Sequence, residues 1–217
     1  MAKRSSGPTA AAGRGRRAPR VSGDDREAAI LATAEKLLES VPFADISIDD
    51  LASGAGISRP TFYFYFGSKD DVLLSLLDRL VQRSEEAIAG LTPSEEQVRQ
   101  GWRDALGVYL DTFAAQRGVA LACADARFRN DRVREGWDRA ATLWVDNTTA
   151  GIEAERARGA APTGRPARDI AIALNAMNER AIYGTLTGSQ PSLPREAVLD
   201  VLVDIWMSAI YTSPPTL

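Results

Sequence analysis

Residues 47–71 restrict the possible folds of this chain more than any other segment, because helix-starting and helix-ending signals alternate along it. Ser47, Ser58 and Ser68 each stand where a side chain would cap a helix N-terminus, and Gly56 and Gly67 stand where a helix would end. The alternating Phe and Tyr residues of 62–66 would by themselves suit a half-buried strand. Because helix signals bound them on both sides, we predict a short helix there, preceded by another short helix and a tight turn.

The rest of the sequence also has helical patterns. A first helix begins at the Ser22–Asp25 capping pair and ends at Pro42, and a fourth begins at Ser68. Glycine- and proline-rich breakers separate five further helical segments, expected near residues 94–116, 119–129, 131–158, 166–187 and 194–212. We therefore predict an all-α fold of about nine helices, with a small N-terminal three-helix domain followed by a larger helical domain.

The chain has 217 residues with no histidine and a single cysteine, Cys123. This composition excludes histidine-based catalytic triads, HExxH zinc sites and cysteine-rich metal sites. An enzyme is therefore not expected, although carboxylate chemistry stays open, and no cofactor is predicted. The longest apolar stretches fall far short of the roughly 18 residues that a membrane span needs, and no apolar secretion signal begins the chain. A cytoplasmic protein without a membrane partner is the expectation.

Charge is distributed unevenly along the chain. Residues 1–23 contain six Lys or Arg side chains and no acid, so the total net charge of −3 leaves −9 for the remainder. Residues 24–70 hold four basic and nine acidic side chains. We predict that residues 1–23 form a disordered basic arm, which would follow nucleic-acid phosphate if a DNA-binding unit comes directly after it. A solubilising tail and an organelle transit peptide are the alternatives.

Two short helices joined by a glycine turn predict a helix-turn-helix, whose second helix enters the DNA major groove. Small Ala52 is expected where the two helices cross, and Phe62 and Phe66 are expected to pack the second helix against its neighbours. The hydroxyl groups of Tyr63 and Tyr65 can then donate to phosphate oxygens. The alternative is that all five aromatic residues belong to the core.

The stretch ISIDDLASGAGISRPTFYFYFGSKDDVLLSLL resembles the DNA-binding segment of the TetR family of bacterial transcriptional regulators. In that family a tyrosine-rich third helix is followed by a short turn and a lysine that opens helix four. The motif match covers roughly residues 24–80. Three further segments, SGDDREAAILATAEKLLE, GISRPTFYFYF and ALNAMNER, resemble the EthR type within the family.

The resemblance implies that Arg59, Pro60 and Thr61 meet base edges, where Arg favours guanine and the other two suit a thymine methyl group. It also implies phosphate contacts for the two tyrosines and for Lys69, which begins a helix and so lies at a natural anion site. The predicted DNA contacts are Ser47, Ser58, Arg59, Pro60, Thr61, Tyr63, Tyr65 and Lys69. For Ser47, helix capping is the stronger interpretation. The expected domains are residues 24–70 for DNA binding and 71–217 for effector binding and dimerisation.

Bulky residues recur at helical spacing in the second domain, in stripes that begin at Trp102 and Trp137. Such stripes usually belong to a core. However, Asn175, Asn178 and Glu179 share one helix, and polar groups among aromatic walls are typical of a ligand pocket. The EthR resemblance implies a long lipophilic effector channel here. The predicted ligand contacts are Trp102, Leu106, Tyr109, Phe113, Trp137, Ala141, Trp144, Thr148, Asn175, Asn178, Glu179, Tyr183 and Trp206.

The last two predicted helices carry a second face of small and branched residues, which the resemblance identifies as a four-helix dimer interface. Its expected members are Ala171, Ala176, Gly184, Val198, Leu202, Val203 and Ile210. A C2 dimer would present two recognition helices to a pseudo-palindrome.

These observations together predict a homodimeric repressor that binds double-stranded DNA at a palindromic operator. A hydrophobic small molecule in the second domain would release it by stabilising a different domain arrangement. A helical carrier of lipids or small molecules without sequence-specific DNA binding is the alternative, and a cofactor-independent enzyme is third.

Overall fold

The computed structural model describes residues 23–89 and 97–212, where helices joined by turns and loops form the structure and no β-strand occurs. Nine α-helices and one 3-10 turn, Phe43–Asp45, occupy these ranges. The helices are α1 (Gly23–Leu38), α2 (Ile48–Gly54), α3 (Arg59–Phe62), α4 (Lys69–Ala89), α5 (Val98–Ala115), α6 (Arg117–Ala126), α7 (Asp131–Ala157), α8 (Ala167–Thr187) and α9 (Arg195–Tyr211). The predicted all-α fold is confirmed. The predicted basic arm lies outside the described residues.

Local signals start and stop α2 as the sequence predicts. The Ser47 side chain accepts from the Asp50 amide, and the Asp50 carboxylate accepts in return from the Ser47 amide, which forms a capping box. Gly56 adopts φ +68° in the turn, a conformation that favours glycine. A Cβ on Gly54 would stand 2.4 Å from Thr33 Cγ2, so α2 packs closely on α1 here and a larger residue would require the Thr33 side chain to move.

Helix α3 is shorter than the pattern predicts. Its four residues, Arg59–Phe62, are capped by Ser58, whose hydroxyl accepts from the Thr61 amide. A turn continues the chain to Phe66, whose amide donates to the carbonyl of Phe62 at 3.0 Å. A helix this short depends on tertiary packing, which the fully buried Phe62 supplies.

Helix α4 connects the two halves of the molecule, since it packs against α1 on one side and against α5, α6 and α7 on the other. The larger half is completed by the α7–α8 and α5–α9 pairs, and by α8 against α9. No helix in the described ranges is long and apolar enough to cross a membrane.

The expected dimer face of α8 and α9 is wrong in its details. Six of its seven predicted members are buried within the protomer: Ala171, Gly184, Val198, Leu202, Val203 and Ile210. Only Ala176 is exposed. The solvent-facing side instead presents Ile172 and Ile205, which are 50% and 41% exposed, next to small residues. The larger branched side chains fill the core, because packing against α5 and α7 takes the more apolar face of each helix.

Candidate functional site: a helix-turn-helix surface and an aromatic effector cavity

The aromatic run of α3 divides between core and surface. Phe62 and Phe66 are buried, at 0% and 5% exposure, which confirms their predicted packing role. Tyr63 is 47% exposed and Tyr65 is half-buried. Phe64 is 87% exposed, although the sequence analysis did not single it out. Its signal was present in the pattern, since a residue two positions from Phe62 points to the opposite side of a helix.

The guanidinium of Arg59 is held in place on this surface. Arg59 Nη1 lies 3.0 Å from Asp49 Oδ2 on α2, and both side chains are more than half exposed. A hydrogen bond with Tyr63 and the charge of Asp49 raise the pKa of Arg59 above its usual value. Three of the predicted DNA contacts are exposed together at α3 and its C-cap: Arg59, Pro60 and Tyr63.

The two predicted serine contacts already serve as caps. Ser47 Oγ donates to Asp50 Oδ2 at 2.6 Å, and these hydrogen bonds from Ser47 lower the pKa of Asp50. The hydroxyl groups of Ser58 and Thr61 lie 2.8 Å apart. Both serines are exposed at helix N-termini, so capping accounts for their hydroxyl groups in this structure.

Lys69 lies at the N-terminus of α4, but its ammonium group is fully engaged by the protein. Its Nζ donates to the carbonyl oxygens of Phe43, Ala44 and Ile46 at 2.9, 3.0 and 2.8 Å. The same atom lies 4.9 Å from the centroid of the Phe43 ring. An ammonium group has three donors, so this side chain has none left for a phosphate oxygen.

In the second half of the molecule, an inner cavity of about 130 Å³ lies among α5, α7, α8 and α9. Eight of the predicted ligand contacts line it: Trp102, Leu106, Tyr109, Trp144, Thr148, Asn175, Asn178 and Trp206. Three residues that were not predicted also line it: Ile88, Ala105 and Asn147. Ala105 and Asn147 each follow a predicted tryptophan by three residues, so helical spacing could have found them.

Polar groups in this inner cavity are partly satisfied. Trp206 Nε1 donates to Asn178 Oδ1 at 3.1 Å, and Asn175 Nδ2 donates to Thr148 Oγ1 at 3.0 Å. Trp144 Nε1, by contrast, is buried and has no hydrogen-bond partner. A buried donor without a partner costs about 1–3 kcal/mol, so the Trp144 N–H is a destabilising group in the wall of this cavity.

An aromatic cluster closes the inner cavity toward α6. Tyr109 lies 4.4 Å from Phe113 and 5.0 Å from Trp144 between ring centroids. Burial raises the pKa of Tyr109 and the charge of Glu179 raises it further, so its hydroxyl stays neutral. Tyr109 lines the cavities on both sides of this cluster.

Beyond the cluster lies an outer cavity of about 20 Å³, which Phe113, Trp137, Glu179 and Tyr183 line together with Tyr109. The resemblance implied one long channel, whereas the structure shows two small cavities with aromatic rings between them. Ala141 lines neither cavity. The difference arises because Tyr109 and its neighbours fill the space between the two chambers.

An ion pair borders the outer cavity. Arg127 Nη2 donates to Glu179 Oε1 at 2.6 Å, and Trp137 Nε1 donates to Glu179 Oε2 at 3.3 Å. Tyr183 donates to Asp125 at 2.9 Å, which raises the pKa of Tyr183. Sequence reasoning did not identify Arg127, because its place on the α6–α7 turn belongs to no helical stripe.

The fold and these two sites define a class: a helix-turn-helix DNA-binding protein with a cavity in a separate helical half. Comparison with known proteins gives the same class. The family described as bacterial regulatory proteins, tetR family, matches residues 30–76, and the family described as transcriptional regulator EthR, C-terminal domain, matches residues 102–212. The chain belongs to the TetR family of transcriptional regulators, within its EthR group.

The relatives are similar over most of the chain. The HTH-type transcriptional regulator EthR of Mycobacterium tuberculosis (strain CDC 1551 / Oshkosh) is 52% identical over 200 residues, which cover 91% of this chain and 93% of that protein. The EthR of Mycolicibacterium smegmatis is 46% identical, over 93% of this chain and 94% of that protein. A solved TetR-family regulator from Syntrophomonas wolfei has the same fold, with a TM-score of 0.74, 16% identity and coverage of 90% and 100%.

Proposed function

We propose that this transcriptional regulator is a homodimeric repressor that a small apolar molecule releases from a palindromic operator. The observation that carries the proposal is the inner cavity, which eight of the predicted ligand contacts line. Aromatic walls with a few amide and hydroxyl groups among them suit an apolar ligand that carries few polar atoms. Because its partner is DNA, the protein would act in the cytoplasm.

The proposed DNA surface follows from exposure at α2 and α3. Arg59, Pro60 and Thr61 would face base edges, and Tyr63 and Tyr65 would donate to phosphate oxygens. Phe64, exposed in the turn that follows α3, adds an apolar group suited to a thymine methyl. Ser47 and Ser58 would contribute at the rim. We leave the Lys69 side chain out of this surface and assign it to holding the α1–α2 connection on α4.

Dimerisation would use the exposed sides of α8 and α9. Ile172 and Ile205 are large apolar residues left exposed in the protomer, and exposed small residues, Ala173, Ala176 and Ala209, flank them. Burying such a face in a symmetric partner would place two copies of α3 on one side of the dimer. Regulators of this family bind DNA and typically form dimers, which supports the proposal.

The ligand must enlarge the cavity it enters. An inner volume of about 130 Å³ is below the roughly 300–1,000 Å³ of typical ligand sites. Rotation of the Tyr109 and Phe113 rings would join the two chambers. A conformational change in residues 71–217 would then reach residues 24–70 through the contacts that α4 and α6 make with α1.

The carrier alternative is not favoured, since the relatives over most of the chain are transcriptional regulators.

The test is fluorescence anisotropy of purified protein titrated onto duplex DNA from upstream of its own and adjacent genes, with scrambled duplex as the control. We expect one palindromic fragment to bind at least about a thousandfold more tightly than scrambled DNA at physiological salt. Equal and weak binding to every fragment would count against sequence-specific repression and favour the carrier alternative.

A further inference from the structure

Arg127 occupies a site that has the features of a receptor for a cation. Its Cζ atom lies 4.7 Å from the centroid of the Trp137 ring and 4.9 Å from that of Phe128. Its Nη2 donates to the Glu179 carboxylate at 2.6 Å. Aromatic faces within about 6 Å, combined with a carboxylate, are the groups that bind ammonium and guanidinium ligands. The cation bound here belongs to the protein itself.

Arg127 does not satisfy all of its hydrogen-bond donors in this site. Its Nε is buried and has no hydrogen-bond partner, although its side chain is 19% exposed overall. Withdrawal of Arg127 toward the neighbouring turn would return this donor to water. Phe128, the next residue, is 78% exposed, so the turn that carries Arg127 has open solvent beside it. A quaternary ammonium group has no N–H donors to satisfy and would leave none unpaired.

The site is continuous with the outer cavity. Glu179 and Trp137 line that cavity, and Tyr109 separates it from the inner one. A molecule with an apolar chain in the inner cavity would therefore direct its other end toward Glu179. Without Arg127, the Glu179 carboxylate would face this end of the ligand uncompensated, since its other partner, Trp137 Nε1, is neutral.

We propose that the effector is an amphiphilic cation, whose apolar chain fills the inner cavity and whose cationic head replaces the Arg127 guanidinium between Glu179 and Trp137. This inference rests on the proposed effector site and specifies the chemical class of its ligand. The position of Arg127 also connects the proposed ligand site, through α6, with the DNA-binding half of the protein. Arg127 is the C-cap residue of α6, and its pair with Glu179 ties that end of α6 to α8. Displacement of Arg127 removes one of two side-chain links between this end of α6 and α8, and leaves the hydrogen bond from Tyr183 to Asp125. The other end of α6 contacts α1.

The experiment uses three probes of equal chain length: decyltrimethylammonium and decanoate below their critical micelle concentrations, and decanol below its solubility limit. Isothermal titration calorimetry on the full chain measures their dissociation constants. We expect the cation to bind at least about tenfold more tightly than decanol, and decanoate to bind most weakly. Glu179→Gln should abolish the preference for the cation while leaving the decanol affinity within about threefold.

A second variant tests replacement directly. Arg127→Gln removes the internal competitor, so the cation should bind more tightly than to the unmodified chain, with decanol little changed. The matched control is Asp146→Asn, which removes the carboxylate of an ion pair with Arg168 between α7 and α8; neither residue lines either cavity. This control should leave the ratio of cation to alcohol affinity unchanged.

The outcomes separate the two proposals. Equal affinities for cation and alcohol, absence of cation binding, or an unchanged ratio in Glu179→Gln would overturn the cationic effector and identify the Arg127 pair as a structural tie only. If decanol binds and displaces DNA in that case, the ligand-responsive repressor stands. If no probe binds while DNA binding persists, the effector site itself is wrong.

Discussion

Gly118, in the first turn of α6, lies directly against the carbonyl group of Leu38 at the end of α1. A Cβ at position 118 would stand 2.4 Å from the Leu38 oxygen and 2.6 Å from its carbon. Main chain therefore meets main chain where the effector half contacts the DNA-binding half. Because backbone cannot rotate away as a side chain can, a shift of α6 toward α1 would push on α1 directly.

Gly118→Ala should disturb this contact. The added methyl group overlaps backbone, so we expect the free energy of unfolding to fall by about 1–3 kcal/mol and DNA affinity to change in the absence of any ligand. Thermal unfolding and anisotropy measure the two effects. Gly101→Ala is the control, since a Cβ there meets nothing within 4 Å. A Gly118→Ala protein with unchanged stability and DNA affinity would show that the halves are not coupled here.

Arg59→Ala should weaken binding to the operator selectively. A bidentate contact from arginine to a guanine contributes about 1–3 kcal/mol of discrimination, so operator affinity should fall about tenfold or more while scrambled-duplex affinity changes little. Tyr63→Phe is the contrasting variant, because loss of one phosphate donor should weaken both duplexes alike. Equal losses on both duplexes for Arg59→Ala would assign Arg59 to the phosphate backbone.

Lys69→Met should act on stability rather than on the salt dependence of DNA binding. The substitution leaves three carbonyl oxygens without their charged donor, so we expect a loss of about 1–3 kcal/mol in the free energy of unfolding. The slope of log affinity against log salt should stay the same. A slope reduced by about one unit would instead show that Lys69 neutralises a phosphate group.

Ser84→Ala should stabilise the protein. Ser84 is fully buried on α4, and its hydroxyl has no hydrogen-bond partner. Alanine removes the unpaired group at little loss of packing, so the free energy of unfolding should rise by about 1 kcal/mol. Denaturant unfolding measures this against Ser40→Ala at an exposed position, which should be near neutral. A destabilised Ser84→Ala protein would indicate that the hydroxyl does have a partner.

Deletion of residues 2–20 should weaken binding to all duplexes alike and flatten its salt dependence. The segment carries the six basic side chains that precede Asp24, while residues 24–70 carry more acid than base. Each lost phosphate contact lowers the magnitude of the log–log salt slope by about 0.9. Anisotropy at several salt concentrations measures both quantities. Unchanged affinity and slope would identify the segment as a tail without a role in DNA binding.

The sequence by itself determined the secondary-structure elements of this protein, and which residues of the aromatic run 62–66 are buried. Serine caps, glycine stops and apolar spacing depend on neighbours a few residues away, so the α2–α3 unit and the burial of Phe62 and Phe66 could be predicted. Twelve of the thirteen predicted ligand contacts line one of the two cavities. The helical stripes of two helices, the polar face of a third and the EthR resemblance together identified them.

Only the tertiary structure decided which polar and charged side chains are already bound to other groups of the protein. Lys69 donates to carbonyls more than twenty residues away in the chain, and Arg127 pairs with Glu179 across 52 positions. The faces of α8 and α9 were assigned wrongly for the same reason, since both sides of each helix carry apolar residues. Local pattern gives each residue its direction on an element, but long-range packing fixes which partner it meets and whether its charge remains available.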